Sequence, residues 1–164
     1  MNIIILDNVI KNPKQYVQNI LKGDFVDVED GDNLFKGIQV RQNDELQKFI
    51  SIFLHEYSIN YNFVRQSPQG QKEPNFIHSD EMMGDKTVLL YLNENYPKGA
   101  GTTMYDEDET ASCSIYMKFN RLVVFDSYHK HARNLINNFG AGNSSRLVQV
   151  MFLKLTKGEG VYYK

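Results

Sequence analysis

A histidine and an aspartate stand two positions apart in the segment Phe-Ile-His-Ser-Asp at residues 76–80. On an extended chain, His78 and Asp80 would project to the same side, because alternate residues of a strand share a face. An imidazole and a carboxylate in this arrangement are two of the three ligands of a 2-His-1-carboxylate site, which holds iron(II) and leaves coordination positions open. A His-x-Asp pair also occurs by chance, and a strand-end histidine hydrogen-bonded to a nearby aspartate is the simpler interpretation of the pair alone.

Two histidines farther along the chain could supply a third ligand. The β-rich run at residues 121–125 leads to His129 and His131, at the exit of a predicted strand. The two histidines have the same parity along the chain, so both could face the same interior if the backbone stays extended. Periodicity therefore does not choose between them.

Two polar side chains stand on predicted strands that are otherwise apolar. Arg146 opens one of them, and an arginine can bind a carboxylate through two charge-assisted hydrogen bonds. At a strand end, an arginine can also simply extend its charged group into water. Tyr91 shares one face of the run 88–93 with Leu89 and Asn93, which indicates a polar-lined cavity on that side. The alternative for Tyr91 is a core position with its hydroxyl group bonded at the edge.

Taken in order along the chain, these motifs resemble the iron(II)/2-oxoglutarate-dependent oxygenases, near their prolyl-hydroxylase-like and phage-encoded members. The resemblance covers roughly residues 61–155. It rests on His78-x-Asp80, Tyr91-Leu92-Asn93, Gly99-Ala100-Gly101 before a strand with Tyr105, Phe125 to His131, and Arg146. The Gly-Gly pair that is usual in the family is split here as Gly-Ala-Gly, which concerns a turn and not the chemistry.

The resemblance implies a double-stranded β-helix, which is a variant of the jelly roll. It also implies an Fe(2+) ion held by His78, Asp80 and His131, and 2-oxoglutarate as cosubstrate. In this family Arg146 would bind the distal carboxylate of 2-oxoglutarate, and Tyr91 would hydrogen-bond to the same group. The implied activity is that of a dioxygenase, usually a hydroxylase, which consumes dioxygen and releases succinate and CO2.

The family's register also distinguishes the two distal histidines. The distal ligand usually follows by six residues an aromatic or aliphatic strand residue in the position of Phe125, which favours His131. His129 would then lie on the cavity wall or the surface. An aspartate at position 80 argues against the halogenating branch of the family, in which a small residue at that place leaves room for halide.

Two other functions remain open. A non-catalytic metal-binding or interaction module on the same fold would have no need of Arg146. A cupin-type enzyme that uses another divalent metal would usually require a different ligand pattern. The prime substrate is not identified, and a protein side chain, a nucleotide and a small metabolite are all possible. Its contacts are expected on loops, here residues 66–74, 106–112 and 135–143.

The elements that must position these residues form one predicted domain over residues 1–164, mainly β with N-terminal helices. Residues 1–58 are predicted as a helical support region, and residues 59–164 as the jelly-roll core. In the first region a strand is expected at residues 2–6, a helix from Pro13 to a stop near Gly23, and a second helix from Asn43 or Asp44. The β-rich runs of the core are 61–64, 75–78, 87–92, 102–105, 114–118, 122–125 and 147–155.

Charge and cysteine content bear on the partners and the location expected for the protein. The net charge of −2 over 164 residues gives no strong signal for nucleic acid or for an anionic membrane. The single cysteine, Cys113, allows no intrachain disulfide, and a reducing, cytoplasmic location is expected. The apolar N-terminal run is too short for a signal peptide or a membrane span.

Overall fold

The computed structural model describes residues 2–134 and 138–156, and its main regular structure is ten strands in two antiparallel sheets. In chain order the elements are β1 (Ile3–Asp7), α1 (Pro13–Leu21), β2 (Val26–Asp30), β3 (Asn33–Val40), α2 (Asp44–Ile50), β4 (Tyr57–Ser67), β5 (Lys86–Tyr91), β6 (Gly101–Tyr105), β7 (Ala111–Tyr116), β8 (Arg121–Asp126), β9 (Lys130–Arg133), a 3-10 turn (Gly142–Ser144) and β10 (Arg146–Leu155). The large sheet has the order β1-β8-β5-β10-β4-β3-β2, and the small sheet has the order β7-β6-β9. The prediction of a mainly β chain is confirmed.

The two helices cover one face of the large sheet. Ile20 of α1 and Leu46 of α2 are fully buried there against Val88 and Leu122 of the sheet. Pro13 starts α1, where its fixed backbone angle suits the first helical turn. The side chain of Asn43 caps α2 by accepting a hydrogen bond from the backbone N–H of Leu46 at 3.0 Å.

The small sheet lies against the opposite face of the large sheet. A second apolar cluster fills the space between the two sheets and draws on β5, β6, β7, β8 and β10. Strand β5 shows how alternation divides the two interiors: Val88 and Leu90 pack toward the helices, whereas Leu89 and Tyr91 pack toward the small sheet. The shared face expected for positions 89 and 91 is therefore observed, and it borders the space between the sheets.

The N-terminal region contains three strands in addition to its helices. The hairpin of β2 and β3, which is joined by a turn at Asp30-Gly31-Asp32, was not predicted from the sequence. All five residues of β2 are exposed, so this edge strand has no buried face that would give it an alternating apolar pattern. The helical prediction for residues 1–58 is to that extent incomplete.

The strand predicted at residues 75–78 is wrong. Only His78 forms a bridge, to His131, and Phe76 is 61% exposed. Pro74 has no backbone N–H to contribute to a ladder, and residues 74–76 are exposed. Residues 135–137, within the predicted substrate loop 135–143, lie outside the described residues. No helix in the described ranges has the length and apolar character to cross a membrane.

Candidate active site

Backbone hydrogen bonds fix the three candidate metal ligands at one end of the small sheet. His131 lies in β9, and its backbone exchanges two hydrogen bonds with that of His78, at 3.0 and 2.8 Å. The backbone N–H of Asp80 donates to the carbonyl oxygen of Ser127, in the turn after β8, at 2.7 Å. Two segments that are distant in sequence, residues 78–80 and 127–131, therefore meet at defined positions.

The ligand atoms of these residues converge. His78 Nε2 lies 3.4 Å from Asp80 Oδ1, and His131 Nε2 lies 3.1 Å from Asp80 Oδ2. The three ligand atoms all lie within 4.8 Å of one another. Two ligands at right angles, each about 2.1 Å from a first-row metal ion, are separated by about 3.0 Å. The donor set and its spacing thus fit a facial 2-His-1-carboxylate site for iron(II).

Both imidazole rings are oriented by backbone carbonyl groups. His78 Nδ1 lies 2.9 Å from the carbonyl oxygen of Phe76, and His131 Nδ1 lies 3.0 Å from that of His129. When Nδ1 carries the proton and donates it to the carbonyl oxygen, Nε2 is left with a lone pair for a metal. This is the usual way in which neighbouring groups fix the tautomer of metal-binding histidines.

The electrostatics of the cluster keep Asp80 ionised. Burial alone would raise the pKa of Asp80, but hydrogen bonds from His131 and His78 outweigh burial and hold this pKa well below its usual range. The hydrogen bond with Asp80 raises the pKa of His78 despite the opposing effect of burial. The carboxylate is therefore in its metal-binding form at neutral pH.

The structure brings His131, and not His129, to Asp80. Residues 127 and 128 form a turn, closed by a hydrogen bond from the backbone N–H of His129 to the carbonyl oxygen of Asp126 at 3.0 Å. Because of this turn, the chain does not continue extended from β8 to His131, so equal parity along the chain does not bring both histidines to the same interior. The nearest carboxylate oxygen to His129 Nε2 is Asp126 Oδ2, at 3.9 Å.

Thr87 supports the carboxylate and was not singled out from the sequence. Its hydroxyl group donates to Asp80 Oδ2 at 3.1 Å and lies 2.9 Å from the hydroxyl group of Ser127. Thr87 stands on the same face of β5 as Leu89 and Tyr91, which is the only sequence signal that could have placed it beside the site.

We expect Thr87→Val to lower iron(II) affinity by about tenfold, because partners that orient metal ligands are commonly worth 10- to 100-fold in affinity. Metal titration of the variant and of the wild type would measure this loss. Thr103→Val is the matched control, since the Thr103 hydroxyl group bonds to Ser114 and Asn134 instead. Equal affinity in the two variants would contradict a supporting role for Thr87.

Tyr91 and Arg146 both face the space between the sheets. Tyr91 is fully buried, and its hydroxyl oxygen lies 2.7 Å from that of Thr102. Val148 of β10 stands directly opposite Tyr91, and Arg146 precedes Val148 by two residues, so that all three share one face. Burial raises the pKa of Tyr91, so the phenol remains protonated and can donate a hydrogen bond.

The guanidinium group of Arg146 is a cation that contacts no carboxylate among the described residues, although the charge of Glu73 acts on it from a distance. It forms no hydrogen bond or ion pair with any residue that the structure describes. Burial, followed by the charge of Arg133, lowers the pKa of Arg146 to about 10, so the group is still charged at neutral pH. A partly buried cation of this kind favours an anionic ligand.

Three more charged residues near Arg146 were not predicted from the sequence. They are Arg65 of β4, Glu73 of the following loop and Arg133 of β9. Position 133 could have been found, because it follows His131 by two residues and shares its face on a strand. The polar segment 66–74 offers no comparable signal for Glu73.

Several solved structures share the fold of this chain, although neither a protein-family model nor a curated protein matches it. A prolyl hydroxylase from Trichoplax adhaerens is 18% identical, with a TM-score of 0.62 over 92% of this chain and 82% of that chain. An oxidoreductase of the 2OG-Fe(II) oxygenase family from Burkholderia pseudomallei is 13% identical, with a TM-score of 0.60 over 92% and 84%. The viral collagen prolyl hydroxylase of Paramecium Bursaria Chlorella virus-1 is 14% identical, with a TM-score of 0.57 over 96% and 91%. The chain therefore has the fold of the 2OG-Fe(II) oxygenases, the family that its motifs resemble.

Proposed function

We propose that this protein is a non-haem iron(II)- and 2-oxoglutarate-dependent dioxygenase in which His78, Asp80 and His131 hold the metal. The observation that carries the proposal is the convergence of these three ligand atoms within 4.8 Å. Arg146 faces the space between the two sheets and has no hydrogen bond or ion pair through its guanidinium group among the described residues. It supports the proposal, because a metal-binding module without turnover has no use for a partly buried carboxylate-binding cation. The jelly-roll architecture expected from the family agrees with the two antiparallel sheets.

Each residue has a distinct task in this function. Two neutral imidazoles and one carboxylate bind a divalent cation on one face and leave its other positions open. Arg146 binds the distal carboxylate of 2-oxoglutarate, and Tyr91 lies beside it. Apolar residues of the space between the sheets, among them Val123 and Val148, keep water from the cosubstrate. Bound iron and 2-oxoglutarate would then supply oxidation of a C–H bond by dioxygen, with release of succinate and CO2.

Hydroxylation is the proposed reaction, and the prime substrate is not assigned. One structure of the same fold is a prolyl hydroxylase in complex with a peptide fragment. A peptide is therefore a first substrate to test, beside nucleotides and small metabolites. We infer a cytoplasmic location from the single cysteine, Cys113, and from the need of iron(II) chemistry for a reducing compartment.

The test is turnover without a prime substrate. We expect slow formation of succinate and CO2 in equal amounts from 2-oxoglutarate, dependent on iron(II) and dioxygen. Protein loaded with zinc is the control, because zinc does not support redox chemistry. If the iron-loaded protein forms no succinate and the zinc-loaded protein does not bind 2-oxoglutarate, the non-catalytic metal-binding or interaction module on the same fold is the better proposal.

A further inference from the structure

A second arginine faces the space between the sheets from the opposite wall. Arg133 follows His131 by two residues on β9, and the two therefore share a face. In the β6–β9 ladder His131 stands opposite Met104, and Arg133 stands opposite Thr102. Met104 and Thr102 are both buried, so this face of the small sheet is its inner face.

Along the strands, Arg133 is at the same height as Tyr91 and Arg146, the residues of the candidate cosubstrate site. Thr102, its cross-strand neighbour, is hydrogen-bonded to the hydroxyl group of Tyr91 at 2.7 Å. Tyr91 in turn is the diagonal neighbour of Arg146 on the large sheet. The positive charge of Arg133 also adds to the effect of burial in lowering the pKa of Arg146. The two guanidinium groups therefore approach each other from opposite walls.

Glu73 is the only carboxylate among the described residues that contacts Arg133, and it is shared. The Glu73 side chain is 2% exposed, and its Oε1 lies 2.9 Å from Arg65 Nε but 3.8 Å from Arg133 Nη1. Its Oε2 accepts hydrogen bonds from Gln71 and Asn138. Arg65 is thus the close partner of Glu73, and Arg133 is held only loosely.

The remaining contacts of Arg133 are with neutral groups. It donates to the side-chain oxygen of Asn138 and, at 3.4 Å, to the carbonyl oxygen of Pro74. Three arginines, at positions 65, 133 and 146, are therefore balanced by one glutamate. The excess of positive charge in this partly buried space favours a carboxylate ligand.

We propose that Arg133 is a second arginine for the dicarboxylate cosubstrate, and that Glu73 is its counter-ion while the site is empty. On binding, the guanidinium group exchanges its loose contact with Glu73 for the distal carboxylate that Arg146 also binds. This inference rests on the proposed function. It assigns to Arg133 and Glu73 the selection of a dicarboxylic over a monocarboxylic 2-oxo acid.

The test compares two ligands by calorimetry on zinc-loaded protein, in which no turnover occurs. One ligand is 2-oxoglutarate, and the other is 2-oxopentanoate, which has the same chain length but lacks the distal carboxylate. We expect Arg133→Gln to weaken 2-oxoglutarate binding by about tenfold, the effect of a charge-assisted hydrogen bond, and to leave 2-oxopentanoate binding unchanged. Arg133→Lys keeps the charge and should retain part of the preference.

Glu73→Gln should act in the opposite direction. It removes the competing carboxylate and keeps the size of the side chain, so we expect 2-oxoglutarate to bind a few-fold more tightly. A loop that is merely loosened would weaken binding in both variants. Lys130→Gln is the control for lost charge, because Lys130 is on the same strand but bonds outward to the carbonyl oxygen of Glu107.

Three results would overturn the inference. The first is unchanged 2-oxoglutarate affinity in Arg133→Gln, which would point to a role toward the prime substrate instead. The second is an equal loss for both ligands in Arg133→Gln, and the third is weaker 2-oxoglutarate binding in Glu73→Gln; both would indicate a purely structural role. If either glutamine variant fails to fold, Arg133→Lys with the two ligands decides the question. A wild-type protein that binds neither acid would remove the proposed function itself, a result distinct from these three.

Discussion

His131→Ala abolishes iron(II)-dependent turnover of 2-oxoglutarate, whereas His129→Ala retains it within a few-fold of the wild type. This result is expected because His131 Nε2 lies 3.1 Å from Asp80 Oδ2, while His129 is turned toward Asp126. Loss of one of three protein ligands should lower metal affinity by more than the 10- to 100-fold that accompanies loss of a supporting residue, so by more than about 100-fold.

The measurement is succinate formation at saturating iron(II), together with metal titration of each variant. The His129 variant serves as the matched control, since it removes the same ring two residues away. Buried His131 also packs its ring against Phe125, with centroids 4.9 Å apart, so thermal unfolding of both variants should be recorded. Activity that survives in the His131 variant and disappears in the His129 variant would show that the ligand assignment is shifted by two residues.

The sequence could predict those parts of the site that depend on local spacing. His78 and Asp80 are two residues apart, and their ligand atoms do meet, even though the segment that carries them is not a strand. The shared face of Leu89 and Tyr91 could be predicted because side chains alternate along a strand. Strand β5 is buried on both faces, and the apolar clusters on the two faces differ in composition.

The remaining parts depend on contacts between distant segments. The turn at residues 127 and 128, which precedes His129, is joined to the first ligand segment by the bond from Asp80 N–H to the carbonyl oxygen of Ser127, two residues 47 positions apart. Similarly, the pairing of Arg65 with Glu73 arises only when the loop after β4 folds back. No periodic pattern in the sequence encodes such pairs. The sequence could therefore show only that His129 and His131 have the same parity, and not which of them reaches Asp80.

Arg146→Gln is expected to weaken 2-oxoglutarate binding by at least about 1.5–3 kcal/mol, the size of a charge-assisted hydrogen bond, while iron(II) affinity stays unchanged. The physical reason is that Arg146 has no partner among the described residues, so its guanidinium group gains its hydrogen bonds only when an anion binds. Tyr91→Phe should give a smaller loss in the same direction, because the Tyr91 hydroxyl group already bonds to Thr102.

Calorimetry on zinc-loaded protein separates this effect from turnover. Lys154→Gln is the matched control, since Lys154 lies on the same strand, is exposed and pairs with Asp85 at 3.0 Å. The loss in Arg146→Gln should exceed the loss in Arg133→Gln, because Arg133 must first leave Glu73, Asn138 and Pro74. The guanidinium group of Arg146 has no hydrogen bond or ion pair to give up within residues 2–134 and 138–156. Equal 2-oxoglutarate affinity in Arg146→Gln and the wild type would mean that Arg146 is not the carboxylate partner, and the unpaired charge between the sheets would then require a different anion.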